Sequence, residues 1–128
     1  MGRKFPDLDV TGAELAVLQE IWDLGTATIR QLTDRVYPRG SASAYATVQK
    51  LLERLEDKQC VRRDRSAMAH TFAAAVSRDA VIGKHLRDVA EKLCGGSLTP
   101  LLTNLLQANA IGPEERAQLR KLLEISRE

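Results

Sequence analysis

Two capping boxes seventeen residues apart constrain this chain more than any other feature. Thr11 is followed three residues later by Glu14, and Thr28 three residues later by Gln31. In each pair the hydroxyl can accept from the backbone of the later residue, whose own side chain reaches back to the first. Each box therefore marks where a helix begins. Gly25 lies between them and suits the end of the first helix. Leu15, Leu18 and Trp22, broadened by Val17, Ile21 and Leu24, give that first helix an apolar stripe. Trp22 lies on the stripe, so it is expected in the core. The second helix runs from Thr28 to Val36, with Ile29, Leu32 and Val36 as its buried line.

Tyr37-Pro38-Arg39-Gly40-Ser41 interrupts the pattern and predicts a turn. A third helix follows, with Ser43 as its expected cap, running to about Lys58. Val48, Leu51, Leu52 and Leu55 form a clear apolar face. Ala46, Lys50, Glu53 and Asp57 point the other way. Thr47 and Arg54 flank one side, and Tyr45 and Gln49 lie nearer the other. Beyond it, Cys60 to Arg65 and His70 to Ala74 are short segments joined by Ser66-Ala67-Met68-Ala69. They predict a two-stranded hairpin with basic residues toward its tip. Three short helices and a small hairpin are the order of a winged helix-turn-helix. The expected fold is mainly α with a small β-hairpin, in two parts: a winged-helix domain over 1–76 and a helical dimerisation segment over 77–128.

The second part starts at the Ser77-Arg78-Asp79 cap, with a helix to about Leu93 that Gly95-Gly96-Ser97 ends. Leu98 to Gln107 is strongly apolar. Gly112-Pro113-Glu114-Glu115 opens a last helix, with proline and acids where a helix start favours them. Val81, Leu86, Val89, Leu93, Leu98, Leu101, Leu102, Leu105, Leu119 and Leu122 exceed what three helices of this length can bury alone. A second copy of the chain is the economical cover.

Charge locates the other expected contact. Over 39–65 there are seven basic and four acidic residues, while the rest of the chain carries a slight acidic excess. This local excess suits phosphates. On the exposed face of the third helix, Lys50 and Gln49 can donate to base edges, beside Ala46, and Thr47 can offer its hydroxyl or methyl. Ser43 and Tyr45 can reach phosphates near the helix start. Arg54, Arg63 and Arg65 are expected on the DNA backbone, where they position without specifying. Winged helices also serve as protein–protein interaction modules, and that is the alternative reading.

Other classes find little support. No Gly-rich phosphate loop, metal constellation or nucleophile–base spacing is present, so neither enzymatic activity nor a cofactor is expected. Cys60 and Cys94 lack ligand or disulfide spacing. They suit small buried side chains, with a redox switch as the alternative. His70 and His85 are isolated from each other. No apolar run approaches the ~20 residues of a membrane span, and the start Met1-Gly2-Arg3-Lys4 leads into no signal-like stretch, so no membrane insertion and a cytoplasmic location are expected.

The run Thr11 to Trp22, then Gly25, Thr28-Ile29-Arg30-Gln31-Leu32, Thr47-Val48 to Arg54-Leu55 and Lys58, resembles the penicillinase-repressor (BlaI/MecI-type) family. The hairpin ending at Phe72 and Gly95-Gly96-Ser97 before an apolar helix extend the resemblance over roughly 8–125. It implies a winged-helix homodimer repressing genes from an inverted-repeat, double-stranded DNA operator. Such genes often encode β-lactamase or cell-wall proteins. In several members a membrane sensor-protease system inactivates the repressor at an Asn–Phe bond. The matching pair here is Asn104-Leu105, with Leu in place of Phe. The family's copper-responsive branch carries a Cys-rich end. This sequence closes Ile125-Ser126-Arg127-Glu128, so metal sensing is not expected.

Overall fold

The computed structural model describes residues 5–108 and 110–125. The basic start and the closing Ser126-Arg127-Glu128 lie outside them. The chain forms two compact units, the first ending at His85 and the second beginning at Leu86. The division falls inside a helix, nine residues beyond the expected 76/77 boundary.

In the first unit the capping boxes work as their sequence predicts. Helix α1 spans Gly12–Leu24, with Thr11 Oγ1 accepting from Glu14 N and Glu14 Oε1 accepting from Thr11 N. Strand β1 is Thr26–Thr28, and Thr28 then caps α2 (Ile29–Val36) through Gln31. Helix α3 is Ala42–Asp57, β2 is Val61–Asp64 and β3 is Thr71–Ala74. The expected hairpin is therefore part of a three-stranded antiparallel sheet in the order β1-β3-β2. Its register aligns Ala27 with Phe72, and Phe72 with Arg63.

One core joins these elements: Val17, Leu18 and Ile21 of α1, Leu32 of α2, Val48, Leu51, Leu52 and Leu55 of α3, with Phe72 and Val61 from the sheet. Trp22 packs at its edge and donates from Nε1 to the Val76 carbonyl at 2.9 Å. Val81, near the start of α4 (Arg78–Cys94), is also in this core and only 3% exposed. That corrects its expected place in a dimer interface. The first turns of α4 cover the winged helix, so Val81 is already buried within its own chain.

The two ends of α3 are built differently. At its start, Ser41 takes the cap position without a side-chain cap bond, and its hydroxyl meets that of Ser43 at 2.7 Å. Ser43 is therefore inside the first turn rather than the cap. Gly40 turns back on Tyr37, and a Cβ there would lie 2.5 Å from that of Ala44, so only glycine lets the turn lie this close to α3. At its end, Cys60 N donates to Leu55 O and Gln59 N to Glu56 O, the bond pair of a Schellman motif. Gln59 sits at the left-handed position with φ 61°. Glycine carries no Cβ penalty there. Gln59→Gly should therefore stabilise the first unit by about 1 kcal/mol and raise its Tm by roughly 4 °C. A thermal melt reads this, and an unchanged or lowered Tm would contradict it.

Ser77 caps α4, its Oγ accepting from Ala80 N. The second unit comprises the rest of α4, α5 (Thr99–Gln107) and α6 (Pro113–Ile125). Among its described residues Ala90 alone is buried. Leu86, Val89, Leu93, Leu98, Leu102, Leu105, Leu106, Leu122, Leu123 and Ile125 all stay substantially exposed. No helix among the described residues is long and apolar enough to cross a membrane.

Candidate nucleic-acid interface

Helix α3 is held by its apolar face, which leaves Ser43, Ala46, Thr47, Gln49 and Lys50 exposed along its first nine residues. Lys50 is the one charged side chain in that stretch, and the acids begin only at Glu53. The start of α3, from Ala42 to Leu52, therefore carries no negative charge. The Thr47 hydroxyl donates to the Ser43 carbonyl at 2.9 Å, so its proton is committed within the helix. Thr47 is left with a methyl and acceptor lone pairs for a groove, not a donor.

The cations of the first unit separate into two groups. Lys58 donates to Glu14 Oε1 at 2.6 Å and to the Asp9 carbonyl at 2.8 Å. Arg35 pairs with Glu20, and Arg78 with Asp23 while lying over the Trp22 ring. Arg63 pairs with Glu56 at 2.5 Å and stacks 4.8 Å from the Phe72 ring centroid. These side chains tie elements together. By contrast, Arg30, Arg39, Lys50, Arg54 and Arg62 make no ion pair among the described residues. Arg65 is 65% exposed, with Glu56 only at 4.0 Å. The unpaired charges occupy the start of α2, the α2–α3 turn, α3 and β2.

Arg63 thus differs from its expected role on a DNA backbone. The register puts it on the inner face of the sheet, beside Phe72, with only 17% of its side chain exposed. Its charge is met by Glu56, and it braces the wing against α3. Its neighbour Arg62 is on the outer face and exposed. Loose alternation in the sequence hid which of the two points inward.

Glu14 carries the sharpest electrostatics of the unit. Burial alone would raise its carboxyl pKa. Hydrogen bonds from Lys58 and from the Thr11 backbone, with the charges of Lys58 and Arg54, outweigh that and hold it below the usual value. Burial also pushes the Cys60 thiol up, aided by Asp7, whose carbonyl accepts from Sγ. At the wing, the Ser66 side chain and backbone lower the Asp64 pKa, and the Ser66 N–H bond to Asp64 Oδ1 starts the loop. Met68 stands fully exposed at its tip.

Arg30 was not singled out by sequence. Its guanidinium lies 5.4 Å from the centroid of the Tyr45 ring, a meeting of α2 and α3 that no local spacing announces. Among the described residues no cluster of His, Cys, Asp or Glu could hold a metal ion.

In the second unit, Leu102, Leu106, Ile111, Leu119, Leu122 and Leu123 line an open groove of about 410 Å³, with Arg116 and Arg120 beside them. The groove belongs to α5, α6 and the turn between them. Asn104 and Leu105 lie within α5, whose helix runs unbroken through both.

The family profile described as "Penicillinase repressor" matches residues 10–125, nearly the whole chain. A protein of Latilactobacillus sakei described as "Uncharacterized 16.5 kDa protein in ptsI 3'region" is 24% identical over 115 residues. That match covers 90% of this chain and 78% of that protein.

Proposed function

Since the chain belongs to the penicillinase repressor family, a family of transcriptional repressors, we propose that it binds a double-stranded DNA operator as a homodimer and represses transcription from it. The observation that carries this reading is the separation of the cations. In the first unit the paired ones hold the fold, and the unpaired ones lie on α2, the α2–α3 turn, α3 and the wing. In this reading Lys50 and Gln49 donate to base edges, with the Thr47 methyl and Ala46 as apolar contacts. Ser43, Tyr45, Arg39, Arg54, Arg62 and Arg65 meet the backbone. The exposed leucines of the second unit are the dimer face. Two copies then present two α3 helices about 34 Å apart, or a multiple of that, on an inverted repeat.

Asn104-Leu105 is the proposed point for proteolytic inactivation, where a sensor-protease partner acts. Proteases favour exposed, irregular segments, so cutting there requires α5 to open. A β-lactamase or cell-wall gene is the proposed target class, carried by the family alone.

The test is an electrophoretic-mobility titration at several salt concentrations. With about six phosphate contacts, log affinity should fall against log salt with a slope near −5. Failure to retard any duplex at low salt would remove the repressor reading.

A further inference from the structure

An open cleft of about 350 Å³ separates the start of α2 and α3 from the wing, lined among others by Arg30, Tyr45, Gln49, Arg63, Met68 and His70. In the DNA-binding reading, on which this inference rests, α3 lies in the major groove. A wing reaching past the edge of that groove must cross the phosphodiester strand that bounds it. The space between α3 and the wing is where that strand has to pass. We propose that this cleft seats a backbone phosphate and that Arg30 is the residue that grips it.

Arg30 suits the task in three respects. It makes no ion pair among the described residues, whereas Arg35 on the same helix is matched to Glu20. It is exposed and lies against the Tyr45 ring. The ring holds the guanidinium by its face and so consumes none of its five N–H donors. A guanidinium fixed in orientation with all donors free can engage phosphate oxygens in bidentate fashion at little further ordering cost. Arg63 cannot substitute, being committed to Glu56 and to the Phe72 face. Gln49 and His70 also line the cleft wall and carry N–H donors.

The test uses the full chain with a mixed-sequence 30-bp duplex (length chosen as roughly three helical turns). Affinities are measured between about 50 and 200 mM salt for the wild type, Arg30→Ala and Arg30→Lys. One phosphate contact accounts for about 3.5-fold of the affinity lost over that range, so Arg30→Ala should lose about 3.5-fold less per protomer than the wild type. Arg30→Lys should recover most of the salt dependence, because it keeps the charge. Circular-dichroism melts check that both variants are folded. Equal slopes for wild type and Arg30→Ala would overturn this assignment alone. Calorimetric binding of inorganic phosphate that Arg30→Ala abolishes, with the duplex slope unchanged, would move the anion from DNA into solution and also overturn it. A wild type that retards no duplex overturns the DNA-binding reading and this one with it.

Discussion

Replacing Lys58 by methionine should destabilise the first unit by roughly 3–5 kcal/mol, the usual cost of stripping one partner from a buried ion pair. Glu14 is 1% exposed, and its carboxylate is satisfied by Lys58 Nζ and by the Thr11 backbone. Methionine fills a similar volume but leaves that charge with one hydrogen bond. The damage spreads beyond the pair. Lys58 Nζ also holds the Asp9 carbonyl, while Asp7 N donates to the Lys58 carbonyl and Cys60 Sγ to the Asp7 carbonyl. Residues 7–10 are thereby strapped to the end of α3, and Val10 of that strap is in the core. The pH dependence should change as well. In the wild type the Glu14 pKa is lowered on folding, so its contribution is full above the unfolded value near 4.5 and is lost as pH falls through the lower folded value. Without Lys58 the effect of burial meets less opposition, the folded pKa rises, and the acid-side loss of stability flattens. Urea melts from pH 7 down to pH 3.5 (roughly a unit below the ordinary carboxylate values) read both effects. The double change Glu14→Leu with Lys58→Met should recover much of the loss, because no buried charge remains. A Lys58→Met protein as stable as the wild type, with an unaltered acid limb, would show that the pair does not hold this corner.

Much of the winged helix was legible because it is written locally. Thr11 and Glu14, or Thr28 and Gln31, meet within one helical turn, so their spacing suffices to predict their bonds. The face made by Val48, Leu51, Leu52 and Leu55 likewise follows from helical period alone. What escaped depends on partners distant in sequence. Thr26–Thr28 is three residues long and has no strand pattern of its own; it is a strand only because β3 offers it an edge. Lys58 counted toward a basic surface, but it is an internal strut to a carboxylate forty-four residues away. Val81 shares its helix with Val89 and Leu93, yet Val81 is buried in the core of the first unit while Val89 and Leu93 are exposed. Arg62 and Arg63 differ by one position in register, and a one-residue step decides which face of a sheet a side chain takes. Charge composition therefore located the region of the candidate interface, and tertiary pairing selected which of its cations are available.

Leu102→Asp should weaken dimerisation by on the order of 1,000-fold. Leu102 lines the apolar groove with Leu106 and Leu122, and it is 41% exposed in the isolated chain. Burying a leucine is worth about 2 kcal/mol. In a two-fold symmetric interface each substitution counts twice, so the loss is about 4 kcal/mol before any cost of desolvating two carboxylates. Leu102 is the better probe than the partly buried Leu101, whose replacement would also disturb packing within its own unit. Val81→Asp would be misleading, since it strikes the core of the winged helix. Sedimentation velocity at micromolar concentration should show a monomer for Leu102→Asp and a dimer for the wild type. The melt of the first unit should stay unchanged, because Leu102 belongs to the other. DNA binding should weaken with dimerisation, since a monomer presents a single α3 and loses the gain from engaging both half-sites at once. A Leu102→Asp protein that sediments as a dimer would remove this groove from the interface and leave the exposed leucines of α4 as the surface to test.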